Sequence, residues 1–162
     1  MSETIDGLTF HTAYHDDDER RRALIAFVRS IHGLDLTAWD EAGYWDPRYR
    51  PFSLFDGDDV VSNVCVYSMR MVVNGEPTDL AQISAVGTAE PQRQRGLNSE
   101  LTRRALAWAD ERHAFTFLFA DEEAVAYYRK RGFEPLDETR PRVRPEARPP
   151  MPGSGWSGFW LA

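Results

Sequence analysis

A chain of 162 residues is long enough to bury one core and too short for two, so length alone sets a single domain as the expectation. Its 42% apolar and 12% aromatic content excludes a disordered polymer, and no apolar run approaches the ~20 residues that a bilayer-spanning helix requires. A formal net charge of −7 argues against general nucleic-acid binding, which relies on a basic footprint, and favours cationic small molecules.

Met1-Ser2-Glu3-Thr4 lacks the basic start and apolar core of a signal peptide, and Cys65 is the only cysteine, so no internal disulfide forms. Both features favour the cytoplasm. Leu8–Tyr14 alternates apolar and polar residues and reads as a first strand. His11 and His15 fall on it or just past it as exposed polar positions; no cluster with metal-ligand spacing surrounds them, and no metal is expected. Asp16–Glu19 then opens a helix in which Leu24, Phe27, Val28 and Ile31 share one face, and Gly33 caps it.

From Leu34 to Arg50 the rings of Trp39, Tyr44, Trp45 and Tyr49 interleave with Asp35, Asp40, Glu41 and Asp46. Such a mixture binds a cationic amine through cation–π contact and carboxylate pairing, each worth roughly 0.5 to 2 kcal/mol. The competing reading is that the rings pack a short helix and loop onto a sheet.

Three strands follow: Pro51–Phe55, Val60–Val73 and Asp79–Thr88, joined by Asp-Gly and Asn-Gly turns at Gly57 and Gly75. Val60, Val64 and Val66 mark one face of the long strand; Val61, Cys65, Met69 and Met71 mark the other. Both faces are apolar, as expected of a central strand covered by helices on each side. Cys65 is then a small core residue.

After Val86 the chain enters a loop, Glu90-Pro-Gln-Arg93-Gln94-Arg95-Gly96, and then a helix with a stripe of Leu97, Leu101, Ala105 and Trp108. A helix N-terminus presents amides that lack intrahelical partners, its dipole adds partial positive charge, and Gly96 admits a ligand close to the backbone. The result is a phosphate site, reinforced by Arg93 and Arg95. It carries neither G-x-G-x-x-G nor a following G-K-[ST], so dinucleotide and P-loop readings do not fit. Phe115–Phe119 is the next strand, parallel to the one ending at Thr88 and reached by the crossover helix.

Asp121 opens another short helix that ends at Gly132, and Phe133–Leu136 reads as a short strand. Residues 139–155 are rich in Pro and Arg and read as an exposed arm; Trp156–Leu161 reads as a last strand or a contact patch.

The order of strand, R-x-x-G loop, helix, strand, and a helix carrying Tyr128-Arg-Lys-Arg-Gly132-Phe133 resembles the GNAT superfamily of acetyl-CoA-dependent N-acetyltransferases. The resemblance covers Leu8 to Leu136 in element order, with motif matches between Val86 and Phe133. It implies an α/β fold with a central mixed, mostly antiparallel sheet flanked by helices. It also implies that Val86, Gly87 and Thr88 pair with the pantetheine arm of acetyl-CoA and that the amides from Gln94 through Arg95, Gly96, Leu97 and Asn98 to Ser99 hold its pyrophosphate. Arg93 and Gly96 match the family's Q/R-x-x-G-x-G/A; Asn98 does not, and either crowds the pyrophosphate or donates its own hydrogen bond. Asp121 stands where the family often has Asn on the cofactor side.

By the same resemblance Tyr128, in Y-x-x-x-G-F, lies near the thioester sulfur. A phenol of ordinary pKa ~10 can protonate a departing thiolate of ~8.5. The segment with Trp39, Glu41, Tyr44 and Trp45 would border the acceptor. Acyl transfer needs a neutral amine, so a base must take its proton: Glu90, Glu41 or Asp40 could do so. No Ser-His-Asp or Cys-His arrangement is present, which favours direct attack in a ternary complex over a covalent acyl-enzyme. The expected activity is transfer of acetyl from acetyl-CoA to a primary amine on a small molecule or peptide, without nucleic acid, membrane or metal. Family habit and the apolar C-terminus allow a homodimer. The rivals are a non-catalytic acyl-CoA sensor and a partner-binding module on the same fold.

Overall fold

The computed structural model describes residues 3–136, so the arm at 139–155 and the strand expected at 156–161 lie outside the described residues. The described residues divide into two units, one ending at Thr116 and the other beginning at Phe117. The first holds β1 (Glu3–Ile5), β2 (Leu8–Thr12), α1 (Asp18–His32), α2 (Thr37–Glu41), β3 (Tyr49–Asp56), β4 (Asp59–Val73), β5 (Glu76–Thr88), a 3-10 turn (Glu90–Gln92) and α3 (Leu97–Asp110). β6 (Phe115–Leu118) straddles the boundary, and α4 (Glu122–Arg129) belongs to the second unit.

The strands lie in the order β1-β2-β3-β4-β5-β6, and each pair from β1 to β5 is antiparallel. Two-residue turns make the β1–β2, β3–β4 and β4–β5 hairpins, whereas β2 reaches β3 through α1 and α2. Asp6-Gly7 and Asn74-Gly75 both have positive φ at each position, the twist that a tight hairpin needs. Between β5 and β6 the chain instead runs through α3, the crossover that parallel neighbours require, so the sheet is mixed.

Helix α1 starts where expected: the Asp17 side chain accepts from the Arg20 N–H, and Gly33, at φ 66°, returns its own N–H to Arg29 O. Leu24, Ile25, Phe27 and Val28 are buried and pack with Tyr14, Trp45, Tyr49, Phe55, Val60 and Cys65. On the opposite face of the sheet Phe10 and Phe52 meet α3, with Arg104 4.8 Å over the Phe10 ring and Trp108 6.3 Å from that of Phe52. β4 is the strand buried on both faces, but only from Val60 to Val66. Its far end is not: Met71 is 43% exposed and Val72 70%.

Three expectations need correction. β1 precedes the strand read as the first, because Asp6-Gly7 makes a hairpin from a segment too short to show alternation. Phe133–Leu136 is not a strand; Pro135 has no N–H to donate to a ladder. α4 stops at Arg129 with Lys130 as its C-cap, so Gly132, at φ 87°, turns the chain beyond the helix instead of capping it.

Candidate active site

β5 brings the first part of the site into place through a break in its pairing. Its register with β4 holds up to Cys65↔Ser84 and resumes at Asn63↔Gly87, so Ala85 and Val86 stand opposite the single residue Val64. This two-against-one arrangement is a β-bulge, which re-aims the strand's peptides. Ala85 adopts φ 48°, a left-handed conformation that costs an alanine ~1–2 kcal/mol. Bonds to the flanking carbonyls hold it there. Asn63 Nδ2 donates to Ala85 O at 2.8 Å, and Ser62 Oγ and Asn98 Nδ2 both donate to Gly87 O at 3.2 Å. Gly87 has no room for a side chain: a Cβ would lie 2.9 Å from Ile31 Cγ2 and 3.5 Å from the Phe27 ring.

Beyond Thr88 the chain leaves the sheet at Ala89, whose N–H donates to Val61 O at 2.8 Å. The 3-10 turn with Pro91 leads into a segment in which Gln94 and Gly96 take φ values of 64° and 75°. Left-handed residues spaced this way gather successive N–H groups into an anion-accepting concavity. Leu97, 3% exposed, anchors the start of α3, and the first i→i−4 bond is made by Glu100 N–H to Gly96 O at 3.1 Å. The amides of Leu97, Asn98 and Ser99 therefore precede the helical ladder and lie at the positive end of its dipole. Where a Cβ on Gly96 would project, no atom lies within 4 Å. This open turn is where a phosphate-bearing ligand could be held.

The charged residues of the loop are not equivalent. Arg93 is exposed and its Nε donates to Thr88 O at 3.2 Å. Arg95 is engaged by the β1–β2 turn, with Nη2 2.5 Å from Asp6 Oδ2 and a further bond to Asp6 O at 2.9 Å. Glu90 is exposed on the 3-10 turn. Asn98, expected to face the pyrophosphate, turns inward: Nδ2 also reaches Asn63 O at 3.3 Å, and Oδ1 accepts from Thr102 at 3.3 Å.

In the aromatic segment Trp45 is 7% exposed and enclosed by Trp39 and Tyr49, at ring-centroid distances of 5.5 and 5.1 Å. Its faces are taken up by packing. Tyr44 is 62% exposed, and Glu41 is exposed beside Asp40 in a cleft of about 360 Å³ between α1 and α2. Asp40 accepts from Arg21 Nε at 2.8 Å, which commits its carboxylate.

In the second unit Asp121 is the N-cap of α4 by position but makes no side-chain capping bond. Tyr128 is 7% exposed, with Tyr127 and Phe133 rings at 5.1 and 5.7 Å. Burial, followed by the neighbouring Tyr127, pushes its phenol up to about 12. Among the described residues no group of three or more His, Cys, Asp or Glu could hold a metal ion, and no helix is long and apolar enough to cross a membrane.

Sequence reasoning missed Ser53, Ser62 and Asn63, all buried at 0% exposure. The signal was available: Ser62-Asn63 interrupts an otherwise apolar run in a central strand, where a polar side chain must find a partner.

The family model described as "Acetyltransferase (GNAT) domain" matches residues 10–136. No curated protein matches the chain. Among solved structures, a GCN5-related N-acetyltransferase from Ralstonia eutropha JMP134 is 21% identical, with 85% of this chain and 99% of that one covered, at a TM-score of 0.62. An aminoglycoside acetyltransferase from an uncultured soil metagenomic sample, in complex with trehalose, is 15% identical, with 87% and 100% covered, at 0.65. A predicted acetyltransferase with acetyl-CoA from Clostridium acetobutylicum is 17% identical, with 84% and 96% covered, at 0.62. At these identities the likeness is one of fold. Together with the family match over most of its length, it establishes that the chain belongs to the GNAT acetyltransferases.

Proposed function

We propose that this acetyltransferase moves the acetyl group of acetyl-CoA to a primary amine on a cationic acceptor, by direct attack in a ternary complex. The observation that carries this reading is the continuous run from the β5 bulge, through the open turn at Gly96, to the N-terminus of α3. A pantetheine arm needs strand peptides turned out of the regular ladder, and a pyrophosphate needs clustered amides next to them; the bulge at Ala85 and Val86 and the first turn of α3 support these two roles. Val86, Gly87 and Thr88 would take the arm, and Arg93 with the amides from Gln94 to Ser99 the pyrophosphate. Arg95 and Asn98 would act there through their backbone, because their side chains are engaged elsewhere. The Clostridium acetobutylicum neighbour, solved with acetyl-CoA, supports the choice of donor.

The acceptor must arrive as, or become, a neutral amine. Its nitrogen bonds to the thioester carbonyl carbon as the carbon–sulfur bond breaks. The amine proton passes to a carboxylate, with exposed Glu90 and Glu41 better suited than Asp40, which is committed to Arg21. Tyr128, a phenol that is neutral at physiological pH, returns a proton to the thiolate. Peptide N–H groups near Val86 hold the charge that develops on the carbonyl oxygen. A net charge of −7 and the carboxylates of the α2 region favour a cationic acceptor, the class to which the substrates of an aminoglycoside acetyltransferase belong. The reading also has the protein acting in the cytoplasm, as a monomer or a homodimer.

Thermal unfolding with acetyl-CoA, free CoA and ATP tests the donor. A ligand at about a hundred times its Kd stabilises by roughly 2.7 kcal/mol, several degrees in Tm for a domain of this size. A shift with both CoA species and none with ATP is expected, followed by release of CoA thiol in a screen of amines. No shift at millimolar ligand would end the reading.

A further inference from the structure

We propose that Asn63 and Asn98 are positioning residues for the acetyl transfer, clamping the β5 bulge so that the Val86 N–H is aimed at the thioester oxygen. The proposal rests on the activity proposed above and concerns what builds the site within this chain.

Asn63 is wholly buried, and its Oδ1 accepts from Ser53 Oγ at 2.7 Å. A serine hydroxyl has one hydrogen, so the 2.6 Å contact between Ser53 Oγ and Tyr14 Oη must be donated by Tyr14. The chain of bonds thus runs Tyr14 to Ser53 to Asn63. Nδ2 of Asn63 faces Ala85 O at 2.8 Å and Cys65 Sγ at 3.2 Å, and because a carbonyl oxygen only accepts, the group turned toward Ala85 is the amide NH2.

Ala85 O and Val86 N–H belong to the same peptide unit. A planar trans peptide points its C=O and N–H in opposite directions, and no described peptide is cis. Holding Ala85 O toward Asn63 therefore aims the Val86 N–H away from Asn63. Val86 lies in the bulge, where two residues face one, so its peptide is released from the regular ladder. Asn98 performs the matching task one unit on. Its Nδ2 bridges Asn63 O and Gly87 O, at 3.3 and 3.2 Å, and ties the first turn of α3 to both strands. Left to itself, Ala85 would relax out of φ 48°; the two asparagines keep it there.

The test uses the full chain. Asn63→Asp keeps the shape of the side chain but replaces the donor to Ala85 O with an acceptor. Three readouts are taken well below each variant's Tm: acetyl-CoA Kd, kcat with a productive amine, and amide hydrogen exchange across residues 84–88 without ligand. We expect faster exchange in that segment, kcat lowered at least tenfold, and Kd within threefold of wild type. Asn98→Ala is expected to lower kcat severalfold with the same split. In wild type the Val86 amide resonance should move on adding acetyl-CoA and move less with free CoA. Should Asn63→Asp fail to fold, Ser53→Ala takes its place, since it removes the bond that orients Asn63 without changing any residue of the bulge, and the same three shifts are expected. A wild type without acetyl transfer overturns the activity and the clamp together. A wild type that transfers acetyl beside a folded variant that does so equally well, or one whose Kd weakens as much as its kcat falls, overturns the clamp alone.

Discussion

Arg95 is bound to Asp6 across 89 positions of sequence, with Nε 2.8 Å and Nη2 2.5 Å from Oδ2. The second arginine of the loop after β5 thus fastens the β1–β2 turn to that loop, and in the proposed cofactor site Arg93 is the guanidinium that would meet the pyrophosphate. A charge-assisted contact to phosphate contributes ~1.5–3 kcal/mol, or about tenfold or more in affinity. Arg93→Ala should weaken acetyl-CoA binding by about that factor. Arg95→Ala should change Kd less and lower stability by under ~1 kcal/mol, as expected of an exposed pair. Calorimetric titration of both variants decides; a larger loss from Arg95→Ala would reverse the assignment.

Gly96→Ala places a methyl group where no atom now lies within 4 Å, on a residue at φ 75°. The left-handed conformation costs an alanine ~1–2 kcal/mol, a fall of several degrees in Tm. The methyl also enters the space that a phosphate would use. Kd for acetyl-CoA is expected to rise at least tenfold, well beyond what the stability change can cause at a temperature where the variant is folded. A variant that binds as tightly as wild type would move the phosphate away from Gly96.

Tyr128→Phe removes the phenol and keeps the ring that packs on Tyr127 and Phe133. With general-acid help worth roughly 10²-fold or more, kcat should fall by about that amount while acetyl-CoA Kd holds. The pH profile adds a second check. The folded pKa is about 12 against a reference of 10.0, so the neutral phenol stabilises the fold fully below pH 10. That contribution is lost as pH rises toward 12, where the unfolded chain has given up a proton that the folded one keeps. Alkaline denaturation of Tyr128→Phe should lack this part of the slope. Unchanged kcat in the variant would remove Tyr128 from the chemistry.

Most of the sheet was legible from the chain because its signals are local. Asn74-Gly75 between apolar runs is a hairpin whatever surrounds it, and the α1 stripe ends at a glycine that caps it. The site was legible only as a loop. Ala85 in a left-handed conformation carries no mark in the sequence, since glycine is the usual sign and this residue is held by Asn63 from another strand. Arg95 looked like a phosphate ligand because its partner lies 89 positions away. Asn98 looked like an obstruction in the pyrophosphate cradle, whereas its side chain turns inward to β4 and β5. Each was decided by a contact that spacing along the chain does not encode.

Acid stability should depend on Glu100. Hydrogen bonds from Arg103 and then Arg104 pull its carboxyl down to about 2 from 4.5. Glu3, bonded to Arg104, is lowered as well. Between pH 4.5 and 2 the unfolded chain takes up protons that the folded one refuses, so stability present above 4.5 is lost as pH falls. Urea midpoints at pH 5 and pH 2.5 should differ less in Glu100→Gln than in wild type, and the difference should shrink with added salt. A wild-type midpoint that does not fall with pH would show the cluster to be without consequence.

The contact of Gly87 with α1 gives a prediction that separates packing from chemistry. An alanine Cβ at this position would sit 2.9 Å from Ile31 Cγ2, closer than two carbons tolerate, and 3.5 Å from Phe27. Either α1 lifts or β5 is pushed, at a cost of ~1–3 kcal/mol. Gly87→Ala should therefore lower Tm by several degrees, and pairing it with Ile31→Ala should recover part of the loss, because the second change deletes the atom in conflict. Activity then tells which element moved. If α1 yields, the double variant regains stability and kcat is little changed throughout. If β5 yields, the displacement reaches Val86 next door and the bonds that Ser62 and Asn98 make to Gly87 O, so kcat falls in Gly87→Ala and returns in the double variant. A strictly additive pair of stability changes would mean that Ile31 is not what requires glycine at this position.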